Sequence, residues 1–313
     1  MILWTLACTA SSDERTPVPD TDAAVDSQPL PDPMELGSRV SEDNLTATIG
    51  ALQDMGTRYT ATQGNSDARD WLTMQLEDYG YLVEEDPFSF DGTDAVNLVA
   101  RKEGSASPDA VWILSAHYDS TSTQAATNAP GADDNASGVA VVLEAARILA
   151  EVELEDSVWF VLTGAEEQGS KGSAHMVDWL DAQGVEVQGV MAPDMVGYWP
   201  LGEGDAMDIL GDSDSQFLVD HMAAMADAMG VANKTWIRHG YCYGDDHTNF
   251  QEAGYPAISP MDCVEAHNVP SSGEELPHYH QTTDSLDTLH MPFTTRVAQV
   301  MVATVADWAE PMR

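Results

Sequence analysis

The sequence predicts an α/β fold: a three-layer sandwich whose mixed, mostly parallel central sheet carries helices on both faces. Short and wholly apolar runs at residues 110–115 and 157–163 are typical of strands that are covered on both sides. Between such runs lie segments with apolar residues at helical spacing, for example 139–149. Strands that alternate with helices favour a parallel sheet.

The other elements follow from local patterns of the same kind. Ser41 precedes two acidic residues and is the expected N-cap of the first helix, and Gly80 ends the second helix. Asp91 and Gly92 predict a tight turn between the first two strands. In chain order we predict helices at residues 41–55, 66–79, 139–149, 173–182, 215–229, 246–253 and 291–308, strands at 81–90, 95–101, 110–115, 157–163, 185–192, 208–210 and 257–261, and an irregular segment at 236–244.

The composition indicates a folded and strongly acidic protein. Of 313 residues, 53 are acidic and 12 basic, the formal net charge is −41, and 43% are hydrophobic, which suffices for a full core. Because so few cations could neutralise phosphates, the charge excludes a simple nucleic-acid binder and disfavours docking to anionic membranes. The acids are scattered along the chain, which is typical of a solvated surface that keeps a protein soluble in high salt. Electrostatic steering of a substrate is the alternative.

The first 40 residues predict an exported protein. Residues 1–10 are apolar, with Cys8 after Leu-Ala, and resemble the end of a bacterial lipoprotein signal whose cysteine becomes lipidated. There is no positively charged start and the apolar run is short, so we expect a signal that begins upstream of Met1; an accidental apolar start is the alternative. Residues 11–40, rich in Pro, Asp and Ser, predict a disordered tether. The folded domain is then 41–313, and the expected location is extracellular, periplasmic or lipid-anchored at the cell surface.

Candidate metal ligands follow the ends of several predicted strands. In open α/β sheets, sites form outside the carboxyl ends of the strands, so these side chains are expected to meet. Imidazole together with carboxylate suits zinc, whereas the three cysteines form no C-x-x-C pair and exclude a thiolate site. The sequence therefore predicts a zinc hydrolase. The candidates are His117, Asp133, Asp134, Glu166, Glu167, Asp194 and either His278 or His280.

Taken together, the motifs resemble those of one family. H-Y-D-S, G-A-D-D-N-A-S-G, E-E after a strand, D-M after the next strand, G-Y before D-H, A-G-Y-P-A and H-x-T-x-D occur in the order and spacing of the secreted bacterial leucyl aminopeptidases, family twenty-eight of the metallopeptidases. The resemblance covers roughly residue 43 to the C-terminus. It implies a zinc-exopeptidase (phosphorylase/hydrolase-like) fold, two Zn²⁺ per chain, peptide substrates with a free N-terminus, and a monomer.

The resemblance also implies a role for each site residue. Glu166 is the expected general base. Asp119 is expected to orient His117, and Asp284 to do the same for His280. The peptide between the two adjacent aspartates of G-A-D-D-N is expected to be cis. The implied ligands are His117 and Asp194 for one zinc, Glu167 and His280 for the other, and Asp133 as the bridge.

Tyr241 is the residue that the resemblance implies for stabilising the oxyanion, with Tyr243 as the alternative. Relatives have a short-range disulfide around this tyrosine, but here His239 occupies one of the cysteine positions. We therefore expect Cys242 to pair with Cys263; two buried free thiols are the alternative.

Three other functions stay open at this point. A glutaminyl cyclase-like acyltransferase would use a single zinc. A carboxypeptidase of the same fold would need a cationic pocket, for which Arg238 is a candidate. A metal-binding surface lipoprotein without activity would not need Glu166, and the Glu166-Glu167 pair favours hydrolysis. Contact with a membrane is expected only through a lipid on Cys8.

Overall fold

The structure, a computed structural model, describes residues 1, 30–239, 242, 244–262 and 277–312. Its strands are β1 (Val83–Phe90), β2 (Thr93–Lys102), β3 (Ser107–His117), β4 (Asp156–Thr163), β5 (Glu186–Met191), β6 (Met207–Gly211), β7 (Asn233–Ile237) and β8 (Ala257–Met261). Its helices are α1 (Pro33–Gly37), α2 (Glu42–Gln53), α3 (Gln63–Asp78), α4 (Gly138–Leu149), α5 (Lys171–Gln183), α6 (Gln216–Met229), α7 (Asp246–Glu252) and α8 (Met291–Trp308). Within the described ranges, no helix is long and apolar enough to cross a membrane.

The strands form one mixed sheet in the order β1-β2-β4-β3-β5-β8-β6-β7. The central strands β4, β3, β5 and β8 are parallel, whereas β2 is antiparallel to both of its neighbours and β6 is antiparallel to β8. This confirms the predicted fold class. His117 at the end of β3 pairs with Thr163 at the end of β4, so the loops that follow both strands leave the sheet at the same edge.

Alternate side chains of the central strands enter two separate apolar cores. On β4, Phe160 and Leu162 belong to the larger core, which also contains residues of α2, α3, α4 and α8. Trp159 and Val161 face the other core, formed with α5 and α7. Because successive strand side chains point to opposite faces, both faces are apolar and both are covered by helices.

Most predicted elements match the observed ones to within a few residues, and two differences are informative. Ser41 caps α2 as predicted, by accepting the Asn44 N–H. The next helix starts three residues early, because Thr62 caps α3 and a polar first turn hides its beginning from an apolar pattern. The irregular segment predicted at 236–244 is wrong where it overlaps β7. This strand lies at the edge of the sheet and is not fully buried, so it lacks an apolar run.

The predicted tether is wrong where residues 33–37 fold as α1. Pro33 occupies the first turn of this helix, and Asp32 caps it by accepting the Met34 N–H at 2.9 Å. Leu36 is fully buried, and a Cβ on Gly37 would lie 2.4 Å from the Gln299 carbonyl oxygen of α8. The missed signal is Asp-Pro at a helix start. The remaining tether and the lipoprotein-like segment lie in residues 2–29, outside the described residues, and stay predictions.

Replacing Leu36 by Ala will destabilise the folded domain by about 2–5 kcal/mol, because it opens a cavity beneath α1. The free energy of unfolding from urea titration measures this. Met34→Ala on the exposed part of the same helix is the control, with an expected change within about 0.5 kcal/mol. Equal effects of the two substitutions would contradict the packing of α1 on the domain.

Candidate metal centre

Two clusters of imidazole and carboxylate groups meet at the carboxyl edge of the sheet and share Asp134. His117 Nε2 lies 3.3 Å from Asp134 Oδ1 and 3.4 Å from Asp194 Oδ1. On the other side, His280 Nε2 lies 3.3 Å from Asp134 Oδ2 and 3.0 Å from Glu167 Oε2. Each oxygen of Asp134 therefore faces a different cluster. The structure thus brings together four of the five residues predicted as ligands.

The spacing of these atoms fits metal ions. Ligands arranged tetrahedrally at about 2.0–2.1 Å from zinc stand about 3.3–3.4 Å from one another. Within the part of the chain that the structure describes, His117 Nε2, Asp194 Oδ1 and Glu167 Oε1 are buried without a hydrogen-bond partner. Buried polar atoms are rarely left without a partner. A zinc ion in the cluster of His117 and Asp194 would satisfy the first two of these atoms, and nitrogen with oxygen is a donor set that zinc accepts.

Asp134 is the shared residue, and the prediction of Asp133 as the bridge was wrong. The Asp133 carboxylate points away from the clusters and accepts the N–H groups of Gly197 at 2.7 Å and Tyr198 at 3.2 Å. Adjacent residues in this turn face opposite sides, and sequence spacing does not show which one faces the site. The cis peptide bond likewise joins Asp134 and Asn135, one residue later than predicted.

Asp284 holds the turn that carries Asp134. Its carboxylate accepts the N–H groups of Asp133 at 2.8 Å and Asp134 at 3.1 Å, instead of binding the ring of His280 as predicted. The turn begins at Gly131, whose φ is +55° and where a Cβ would lie 2.5 Å from the Asp134 carbonyl oxygen. Glycine is therefore required at this position.

Asp119 connects the two clusters through its backbone and its side chain. His117 Nδ1 lies 3.2 Å from the Asp119 carbonyl oxygen and 3.6 Å from its Oδ1, so an N–H at Nδ1 leaves Nε2 facing the cluster. The buried Asp119 carboxylate accepts the N–H groups of Glu166 at 3.0 Å and Glu167 at 3.3 Å. One aspartate thus orients an imidazole of one cluster and fixes the turn that carries a carboxylate of the other.

Replacing Asp119 by Asn will weaken zinc binding by about 10–100-fold, because the orienting groups behind metal ligands contribute that much to affinity. Competition with a chromogenic chelator measures the dissociation constants. Asp94→Asn, in the exposed hairpin, removes a carboxylate far from the sheet edge and is the control. Unchanged zinc affinity in Asp119→Asn would contradict the orienting role.

Glu166 lies beside the clusters and belongs to neither. It lines a cavity of about 200 Å³ together with Asp194, Tyr279 and His280. Burial raises the pKa of the Glu166 carboxyl well above its usual range; the His117 imidazole opposes this, and the neighbouring carboxylates, Asp246 first, reinforce it. A raised pKa is the direction that general acid–base catalysis by a carboxyl group requires.

Sequence analysis missed Arg58, which is fully buried behind the site. Its guanidinium donates to the carbonyl oxygens of Tyr118 at 2.8 Å, Pro130 at 2.6 Å and Gly131 at 2.9 Å. It therefore joins the chain that follows His117 to the turn that carries Asp134. A single arginine in G-T-R-Y gives no sequence signal, because arginine is almost always at the surface.

Tyr241, Tyr243 and Cys263 lie outside the described residues, so the oxyanion role and the pairing of Cys242 stay predictions. His278 Nδ1 lies 2.9 Å from the Thr283 hydroxyl and belongs to neither cluster. Of the two candidate histidines, His280 is therefore the one in the cluster.

An α/β sandwich with two ligand clusters around one shared carboxylate defines a class of metal-dependent hydrolases. Residues 97–305 match Peptidase family M28, and the chain belongs to this family.

The chain is also similar to individual proteins, at low sequence identity. A "Probable zinc metalloprotease" of Pyrenophora tritici-repentis is 27% identical over 359 residues, which cover 93% of this chain and 72% of the relative. Among solved structures, the LapA aminopeptidase of Legionella pneumophila gives a TM-score of 0.75 at 24% identity and covers 90% of this chain and 75% of that chain. The zinc aminopeptidase BSAP of Bacillus subtilis gives a TM-score of 0.74 at 17% sequence identity, and the match covers 90% of this chain and 97% of that chain. A glutaminyl cyclase of Fimbriiglobus ruber gives a TM-score of 0.68 at 20% sequence identity, and the match covers 85% of this chain and 95% of that chain. These similarities establish the fold.

Proposed function

We propose that this chain is an aminopeptidase that uses two zinc ions to hydrolyse the first peptide bond of peptides with a free N-terminus. The observation that carries the proposal is the Asp134 carboxylate, whose two oxygens face separate clusters. Membership of family M28 supports peptide hydrolysis, and the solved aminopeptidases of the same fold support removal of the N-terminal residue.

The residues divide into ligands and a proton carrier. When bound, the two ions would polarise the scissile carbonyl group and lower the pKa of a water between them. Glu166 takes a proton from the attacking water and then gives it to the leaving amine. The residues that would hold the ions are His117 and Asp194 for one, Glu167 and His280 for the other, and Asp134 for both. A site that only stores metal has no need of Glu166, which argues against a non-catalytic lipoprotein.

A panel of aminoacyl p-nitroanilides tests the proposed activity, with the N-acetylated form of each substrate as its matched control. We expect cleavage of the free-amine substrates only, loss of activity with a chelator, and recovery with zinc. Cleavage of the acetylated forms, or release of residues from the C-terminus of peptides, would contradict the proposal. The panel also reports which first residue the enzyme prefers.

Glutaminyl cyclisation is the second candidate, because solved glutaminyl cyclases share the fold. Peptides that begin with Gln separate the two functions: a cyclase releases ammonia and leaves a pyroglutamyl peptide, whereas an aminopeptidase releases free glutamine. Two complete clusters favour hydrolysis, since the cyclase is expected to use a single zinc. A carboxypeptidase is less favoured, because the described residues that line the cavity include no Lys or Arg.

We also propose that the enzyme acts outside the cytoplasm, as a monomer anchored by a lipid on Cys8. The support is the lipoprotein-like sequence of residues 1–10 followed by a Pro- and Asp-rich stretch. Incorporation of labelled palmitate that is lost in Cys8→Ser tests the anchor.

A further inference from the structure

We infer that Ser170 is a positioning residue that holds the Glu166 carboxylate in its working orientation. The inference rests on the proposed function, in which Glu166 carries the proton. Ser170 Oγ donates a hydrogen bond to Glu166 Oε1 at 2.8 Å. Among the described residues, this is the hydrogen bond that the Glu166 carboxylate accepts, and Ser170 itself lines the same cavity.

The conformation of Ser170 directs its hydroxyl toward Glu166 and away from the helix that follows. Ser170 stands at the N-cap position of α5, where a serine normally accepts an N–H of the first turn. Its φ and ψ are instead 51° and 44°, in the left-handed region, and its side chain caps no N–H. The left-handed region is unfavourable for a residue with a Cβ. Among the described residues, the hydroxyl that reaches Glu166 therefore belongs to a residue with a strained backbone and no capping hydrogen bond.

The backbone of Ser170 is held on both sides, so its hydroxyl is a fixed donor. The Ser170 N–H donates to the Glu166 carbonyl oxygen at 2.6 Å. The Ser170 carbonyl oxygen accepts the side-chain amide of Asn249 at 2.9 Å. Asn249 belongs to α7, a helix that packs in the same apolar core as α5. The position of the donor is thus set by the Glu166 turn and by α7.

A glutamate carboxylate needs such a donor because its own torsions do not orient it. The terminal torsion of glutamate is broad and has no sharp rotamer preference. A hydrogen bond to Oε1 removes this freedom and leaves Oε2 to exchange protons with water and with the leaving amine. Proton transfer requires heavy atoms within about 2.6–3.2 Å, and a misplacement of about 1 Å can cost about 10²-fold in rate.

The test compares zinc-loaded wild type with Ser170→Ala and Ser170→Gly on a free-amine p-nitroanilide. We expect kcat to fall by about 5–50-fold in both Ala and Gly variants, with KM within about 3-fold and zinc content unchanged. Gly relieves the left-handed strain and Ala does not, so a shared loss identifies the hydroxyl as the cause. Ser89→Ala, which removes a serine that donates to Asp94 in an exposed hairpin, is the matched control and keeps wild-type kcat.

Each outcome decides the inference. Wild-type kcat in Ser170→Ala overturns it, and so does a loss of kcat that only parallels a loss of zinc. If wild type cleaves no substrate, the proposed function has failed. Crystal structures of zinc-loaded wild type and Ser170→Ala then test the positioning role of Ser170, by comparing where the Glu166 carboxylate lies. The inference requires the Glu166 carboxylate to move by about 1 Å or more in the variant. An unmoved carboxylate overturns it.

Discussion

Replacing Glu166 by Gln will lower kcat/KM for free-amine substrates by about 10²–10⁴-fold while the protein still binds its zinc. Gln keeps the size of the side chain and an oxygen that can accept the Ser170 hydrogen bond, but it takes up no proton near neutral pH. Glu166 belongs to neither ligand cluster, so metal content is expected to be unchanged. Hydrolysis of p-nitroanilides measures the rate, and elemental analysis of the purified protein measures the zinc.

Glu167→Gln is the matched control for this result, because it makes the same chemical change one residue along the chain. Glu167 Oε2 lies 3.0 Å from His280 Nε2, inside a cluster, so this variant is expected to lose zinc as well as activity. If Glu166→Gln kept more than about a tenth of wild-type kcat/KM, another group would have to carry the proton. The buried Asp246, which raises the pKa of Glu166, would then be the next carboxylate to replace.

The sequence allowed prediction of the features that depend on the periodicity of apolar residues and on which residues follow the ends of strands. His117 and the Glu166-Glu167 pair follow apolar runs, and neighbouring parallel strands deliver such residues to one edge. The sheet and its two covered faces follow from the same runs. Helix α1 was not predicted, because five residues are too few to show a helical period of apolar residues.

The orientation of side chains within the site could not be predicted in the same way. Asp133 and Asp134 are chemically identical neighbours, and their directions are set by partners about 60 and 150 residues away, the Gly197 N–H and the Asp284 carboxylate. Ser170 is a similar case: it stands at the N-cap position of α5, but its left-handed backbone directs its hydroxyl to Glu166. Long-range hydrogen bonds of this kind leave no local pattern.

Asp134→Asn is expected to remove both zinc ions and to lower kcat/KM by more than about 10³-fold. An amide offers one good oxygen ligand and no charge, so it cannot serve two cations at once. The two Asp134 oxygens lie 3.3 Å from His117 Nε2 and 3.3 Å from His280 Nε2, and both clusters lose their shared anion together. Zinc stoichiometry, measured after dialysis against a weak chelator, should fall below one per chain.

Asp133→Asn distinguishes the two neighbouring aspartates. The Asn side-chain oxygen can still accept the N–H groups of Gly197 and Tyr198, so the turn keeps its shape. We expect two zinc ions per chain and kcat/KM within about tenfold of wild type, since the removed charge faces away from both clusters. The opposite result, with zinc lost from Asp133→Asn and retained in Asp134→Asn, would restore Asp133 as the bridge. Because the two variants differ only in which neighbour loses its charge, a difference between them reports the direction of each carboxylate and not the net charge of the turn.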